Sequence, residues 1–196
     1  MTTRSFSKTV FVTPVINSLL GFLSLIVMKI VGWSIDGEQP VHNKYILLAA
    51  PHTSNWDFPL IIMVALRLKL DVHWMGKDTL FRFPLKAIMT WLGGIPINRS
   101  QANNVVDQMV DQFNHRDSLI VLVPPEGTRS KVDRWRTGFY HIALQAKLPV
   151  VLGFVDAGTK KIGFGPEFYP TGNIDEDLAE MKIFYGQITG INPENQ

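Results

Sequence analysis

Two stretches of the chain, KYILLAAP (residues 44–51) and SLIVLVP (residues 118–124, followed by a second proline), are apolar without interruption from Tyr45 to Ala50 and from Leu119 to Val123. A strand with one wet face alternates apolar and polar residues. A run with no polar member must be covered on both faces, the pattern of a parallel sheet with helices on either side. The prolines end each run because they cannot donate to a sheet ladder. The rest of the chain fits this frame. DVHWMG, GIPINR and PVVLGFVD read as further short strands, and KKIGFGPEFYP as a strand or irregular edge. PLIIMVALRLKL, PLKAIMTWLG, GFYHIALQAK and DEDLAEMKIFYGQI read as helices, as does NNVVDQMVDQFNH with Val105, Val106, Met109, Val110 and Phe113 on one side. Strand–helix alternation predicts an α/β fold: a single domain with a largely parallel sheet flanked by helices. At 196 residues, 46% of them hydrophobic, the chain can bury one sizeable core.

Residues 1–33 stand outside this alternation. Positions 10–28 carry no charge, Arg4 and Lys8 precede them, and Lys29 and Trp33 follow. As a helix the segment would be about 28 Å long, at the low margin for crossing a bilayer. Thr13, Asn17, Gly21 and Ser24 would form one polar or small stripe, which suits a helix lying in the membrane interface or docked on protein. The expected organisation is an N-terminal membrane-associated helix (1–33) followed by one domain (34–196). A buried helix of a soluble protein is the alternative. A cleaved signal is a further one, although no small-x-small site follows the run.

The formal charge of +2 gives no reason to expect a nucleic-acid partner. The absence of cysteine excludes disulfides, iron–sulfur clusters and a thiol nucleophile. No G-x-S-x-G elbow is present, and the five histidines lack metal-ligand spacing.

Ligand sites in open α/β sheets gather at the carboxyl ends of the strands. His52, Lys77, Arg99 and Glu126 each follow a predicted strand. In APHTSNWDFP (50–59) the strand ends near Ala50, His52 sits on the turn, and Asp57 opens the next helix, with Thr53, Ser54 and Asn55 able to cap backbone N–H groups. Five residues of straight helix rotate side chains by roughly 140°, so the pair meets only if the turn folds back. A carboxylate on one ring nitrogen would fix the tautomer and leave the other nitrogen a base for a hydroxyl. The plainer alternative is a cap aspartate beside an unrelated turn histidine. In VPPEGTRS (123–130), Gly127 permits a sharp turn, Arg129 offers a planar fork for phosphate, and Thr128 and Ser130 add hydroxyls. GGIPINRS places Arg99 likewise after a short strand; each arginine could equally be a solvated surface residue.

Taken together, His52-x4-Asp57, GGIPINR, PEGTRS and KLPVV, in this order and spacing over residues 34–155, resemble the glycerophospholipid acyltransferase family. The resemblance implies that the His52/Asp57 pair deprotonates a glycerol hydroxyl, which attacks an acyl thioester directly. It implies that Arg99 and the block Glu126, Gly127, Thr128 and Arg129 bind the acceptor phosphate, with Lys77 of GKDTLF a further phosphate ligand. The implied acceptor is a membrane lyso-lipid, most simply 1-acylglycerol-3-phosphate. The co-substrate is acyl-CoA or acyl carrier protein, and no metal or other cofactor is needed. Departures fall at Pro51 and Asn98, where the family has asparagine and an aspartate-like residue, and at Leu152–Gly153, where it returns to proline. Three other readings use the same residues: acylation of a lyso-lipid lacking phosphate, a thioester or lipid hydrolase working through the same dyad, and a non-catalytic lipid-binding module.

Overall fold

The structure is a computed structural model that describes residues 9–98 and 102–196. Its strands are β1 (Ser34–Asp36), β2 (Lys44–Ala50), β3 (Val72–Lys77), β4 (Gly94–Ile97), β5 (Leu119–Val123), β6 (Val150–Asp156) and β7 (Lys161–Phe168). The helices are α1 (Pro14–Val31), α2 (Asp57–Leu68), α3 (Lys86–Trp91), α4 (Ala102–Asn114), α5 (Gly138–Ala146) and α6 (Ile174–Tyr185).

The strands form one seven-stranded sheet in the order β1-β7-β6-β2-β5-β3-β4. From β6 to β4 every neighbouring pair is parallel. β7 runs antiparallel to β6, and β1 is parallel to β7. The expected α/β domain with a largely parallel sheet is therefore the fold. The two uninterrupted apolar runs, β2 and β5, lie side by side at its centre.

β2 shows why its run has no polar member. Ile46, Leu48 and Ala50 point to one face and join Met109 and Phe113 of α4, Phe139 and Ile142 of α5 and Met181 of α6. Tyr45 and Leu47 point to the other, into a cluster with Ala65 and Leu66 of α2 and Leu20 of α1. Each fully buried leucine or isoleucine contributes about 1.5–3 kcal/mol, so a polar residue anywhere from Ile46 to Ala50 would be costly.

α1 has two opposed faces. Asn17, Gly21, Ser24 and Met28 are buried, and the Asn17 side-chain amide donates to the Leu66 carbonyl of α2 at 3.1 Å. The small-residue stripe read from the sequence thus docks on the domain. On the far side Val15, Leu19, Phe22, Leu23, Ile26 and Ile30 are exposed, Val15 and Ile30 at 81% and 79%.

Of the two readings of KKIGFGPEFYP, strand or irregular edge, the strand holds, and β7 lies between β1 and β6. β1 pairs only with Lys161–Gly163, so Pro166 lies where that side of β7 has no neighbour, beside a register irregularity between Val151 and Gly153 on β6. The missing N–H is harmless there. β1 itself, three residues long with Ser34 and Asp36 exposed, carries no apolar signal.

Candidate active site

β2, β3, β4 and β5 are mutually parallel, so the segments that follow them emerge at one edge of the sheet. There the turn after β2 folds back on itself. His52 Nδ1 lies 3.0 Å from Asp57 Oδ2. The same oxygen accepts the backbone N–H groups of Thr53 and Ser54, both at 2.9 Å. Asp57, the first residue of α2, thus caps the turn that precedes it, beside the capping expected of Ser54. Ser54 Oγ accepts only the Trp56 N–H, at 3.2 Å. Asp57 is buried, its side chain 2% exposed, whereas the His52 side chain keeps 20%. A buried carboxylate oxygen needs such donors to offset its lost hydration. With the carboxylate as acceptor, a neutral His52 ring would carry its proton on Nδ1 and present Nε2 as an acceptor. Among the described residues nothing bonds to Nε2.

His52 forms part of the wall of a cavity of about 620 Å³. Phe58 and Ile61 of α2, Trp74 and Met75 of β3, Val105 and Val106 of α4, and Phe139 and Ile142 of α5 make most of the rest. This volume lies within the ~300–1,000 Å³ typical of ligand pockets. Among the described residues, two ionisable side chains line it, His52 and Arg136.

The loop after β5 supplies the second group. Glu126 Oε1 accepts the His52 backbone N–H at 3.3 Å, tying the two strand ends together. Burial pushes the Glu126 carboxyl above its ordinary range, outweighing the two backbone N–H groups that favour its charged form. Its Oε2 is buried without a partner among the described residues. Gly127 adopts a left-handed φ of +67°, and a Cβ there would meet Arg136 Nε at 2.5 Å; only glycine suits both demands. The Arg136 N–H donates to the Pro125 carbonyl at 2.7 Å. Next to it, the Trp135 ring packs edge-on against Tyr185, centroids 5.5 Å apart. These contacts hold Arg136 beside Gly127 on the cavity wall.

The predicted residues fall into two groups. His52, Asp57, Glu126 and Gly127 come together. Lys77, Thr128 and Arg129 are exposed at the same sheet edge, outside the cavity lining, and the Lys77 and Arg129 side chains have no hydrogen bond or ion pair among the described residues. Arg99 lies outside the described residues. Arg136 was missed because it follows no strand; its placement comes from long-range contacts that no local motif announces.

Comparison with known proteins agrees with the fold. No curated protein matches the chain. Among solved structures it is similar to the 1-acyl-sn-glycerophosphate (LPA) acyltransferase, PlsC, from Thermotoga maritima, with a TM-score of 0.58 and 19% sequence identity, over 87% of this chain and 76% of that one. The Acyltransferase family pattern matches residues 33–152, more than half of the chain and inclusive of the dyad and the loop after β5; the chain belongs to the acyltransferase family.

Proposed function

We propose that the protein moves a fatty acyl group from an acyl thioester, on coenzyme A or acyl carrier protein, to the hydroxyl of a lysophospholipid, 1-acylglycerol-3-phosphate being the simplest acceptor. The observation that carries this reading is the His52–Asp57 pair at 3.0 Å, its second ring nitrogen unengaged on the wall of an apolar cavity. In the proposed step Nε2 takes the acceptor's hydroxyl proton as the oxygen attacks the thioester carbonyl carbon. The tetrahedral adduct collapses, the carbon–sulfur bond breaks, and the imidazolium returns its proton to the departing thiolate. Asp57 stabilises the imidazolium meanwhile. General-base catalysis of this kind contributes about 10²–10⁴-fold. The reaction runs downhill from thioester to oxygen ester, so the proposal includes no metal or other cofactor.

The apolar wall suits an acyl chain, and Arg136 suits an anionic group beside it. Arg129 and Lys77, exposed and unpaired, would meet the acceptor phosphate, with Arg99 joining them on the strength of the resemblance alone. Glu126 fits this scheme better as the tie between the loop and His52 than as a phosphate ligand, since a carboxylate repels phosphate. The outward apolar face of α1 would lie in the membrane interface, where acceptor and product reside. Donors of this kind put that interface on the cytoplasmic face of the inner membrane.

The test is purified protein with labelled acyl thioester and a panel of lyso-lipids, read by mass spectrometry. A new ester on a phosphate-bearing lyso-lipid is expected. Free fatty acid alone would make the protein a hydrolase, an ester only on phosphate-free acceptors would change the acceptor class, and no turnover would leave a binding module.

A further inference from the structure

The chain beyond α6 returns to the turn that carries the dyad. The Asn192 N–H donates to Thr53 Oγ1 at 3.1 Å, and its side-chain amide donates to the Thr53 carbonyl at 3.0 Å. The Asn195 side-chain amide donates to the same carbonyl at 3.3 Å. Thr53 is 2% exposed, so these are the bonds that satisfy its polar atoms. At Gly190 a Cβ would meet both Thr53 Cγ2 and Thr53 Oγ1 at 2.7 Å. The segment is anchored independently of the turn. The Thr189 N–H donates to Asp156 Oδ1 at the end of β6, and the Thr189 carbonyl accepts the Ala157 N–H. The Gln196 side chain bridges Gly190 and Ile188.

The Thr53 carbonyl shares one peptide plane with the Ser54 N–H, and in a trans peptide the two point in opposite directions. The carbonyl end of that plane is held by the two asparagine amides. The N–H end donates to Asp57 Oδ2, the oxygen bonded to His52. Turning the plane would take the N–H off the carboxylate. Donation to the carbonyl also polarises the same peptide and strengthens what its N–H gives to Asp57.

We propose that Asn192, assisted by Asn195, is a positioning residue for the proton-transfer dyad, clamping the Thr53–Ser54 peptide so that its N–H holds Asp57 against His52. This rests on the reading of His52 as the base. Asn192 and Asn195 lie beyond residues 33–152, the region matched by the family pattern, whereas the turn they hold lies within it.

The experiment compares the full-length protein with Asn192→Ala, Asn192→Asp, Asn195→Ala and His52→Ala in acyl transfer. Nitrogen-15 NMR of the histidine rings is recorded on each. Misplacement of a reacting group by about 1 Å costs roughly 10²-fold, so Asn192→Ala should lower kcat by about 10–100-fold with KM for both substrates within about twofold. Asn192→Asp keeps the shape but cannot donate from its side chain, and should do no better. Asn195→Ala, which removes the longer bond, should cost about threefold. In the wild type the His52 ring should read as the Nδ1-protonated tautomer, and Asn192→Ala should shift it toward a mixture. Wild-type kcat and an unchanged His52 spectrum in both Asn192 variants, beside an inactive His52→Ala, would overturn the clamp and leave the base intact. An active His52→Ala would overturn the base itself, and with it the clamp. Loss of the cooperative thermal transition in Asn192→Ala would assign the clamp to the fold instead of the site, and would equally overturn the proposal.

Discussion

The turn after β2 and the loop after β5 open onto the same edge of the sheet but are built in opposite ways. In the turn, Thr53, Ser54 and Asp57 are buried, and Asp57 Oδ2 alone gathers the His52 ring and two backbone N–H groups. In the loop, Gly127, Thr128 and Arg129 are exposed, and the Arg129 guanidinium has no partner among the described residues. A proton-transfer group must be oriented before the substrate arrives, so its ordering cost is met during folding. A charge meant to neutralise a ligand is better left unpaired, since a resident counter-ion would have to be displaced. Under the proposed function the difference divides the labour. The turn should govern the rate of the chemical step, and the loop should govern how tightly an anionic acceptor is held.

Removing the base should have the largest effect. His52→Ala should lower kcat by roughly 10³-fold or more and leave the thermal transition in place, because His52 is partly exposed and, among the described residues, its ring is bonded to Asp57 alone. Asp57→Asn should lower kcat by at least about 10²-fold. An amide can present its NH₂ to the imidazole and favour the wrong tautomer. A folded Asp57→Asn protein with normal kinetics would reduce Asp57 to a cap and end the contrast between turn and loop.

Membrane association should be next in size. Glutamine at Leu19, Phe22 and Ile30 removes three members of the outward stripe of α1 and leaves the docked face, with Asn17 and Ser24, untouched. At about 1 kcal/mol each for partly buried apolar side chains, vesicle binding should weaken roughly 100-fold. Sedimentation with lipid vesicles measures it. Binding at wild-type strength would assign the anchoring to another surface.

The smallest effect concerns Glu126. Burial raises its carboxyl above the unfolded value, so the folded state binds the proton more tightly. Stability from this group is therefore present below the unfolded pKa and falls as pH rises from the ordinary carboxylate range to the raised value. Glu126→Gln should flatten that part of the stability–pH profile while still offering an oxygen to the His52 N–H. Denaturant unfolding between pH 4 and 8 would detect it, and an unchanged slope would mean that burial does not govern this group.

The core and half of the site were legible in the sequence because they are locally encoded. β2 and β5 announce themselves through uninterrupted apolar runs, and the His52–Asp57 pair through its place between a strand end and a helix start. What stayed hidden is encoded at long range. Arg136 reaches the cavity wall through the Pro125 carbonyl and the packing of Trp135 on Tyr185, which local pattern does not carry. Asn192 meets Thr53 across 139 positions of chain. The sequence left β7 open between strand and irregular edge because its proline suits an interior strand only where a very short neighbour, β1, has already ended. The share of capping taken by Asp57 stayed hidden because Ser, Thr and Asp at a helix start all qualify as caps, and only the folded turn decides which side chain bonds to which N–H.

The most direct test of the division of labour is to measure kcat and acceptor KM separately for Arg129→Ala, Arg136→Ala and Asp57→Asn, on acceptors with and without phosphate. A charge-assisted hydrogen bond to arginine is worth about 1.5–3 kcal/mol, or roughly 10–100-fold in efficiency. The arginine variants should lose that much on the phosphate-bearing acceptor, chiefly through KM, and little on the other. Lysine should rescue them only in part, since it keeps the charge and loses the fork. Asp57→Asn should lower kcat equally on both. Arginine variants that slow both acceptors alike, with KM unmoved, would contradict the account and assign these side chains to the donor or to the structure of the loop.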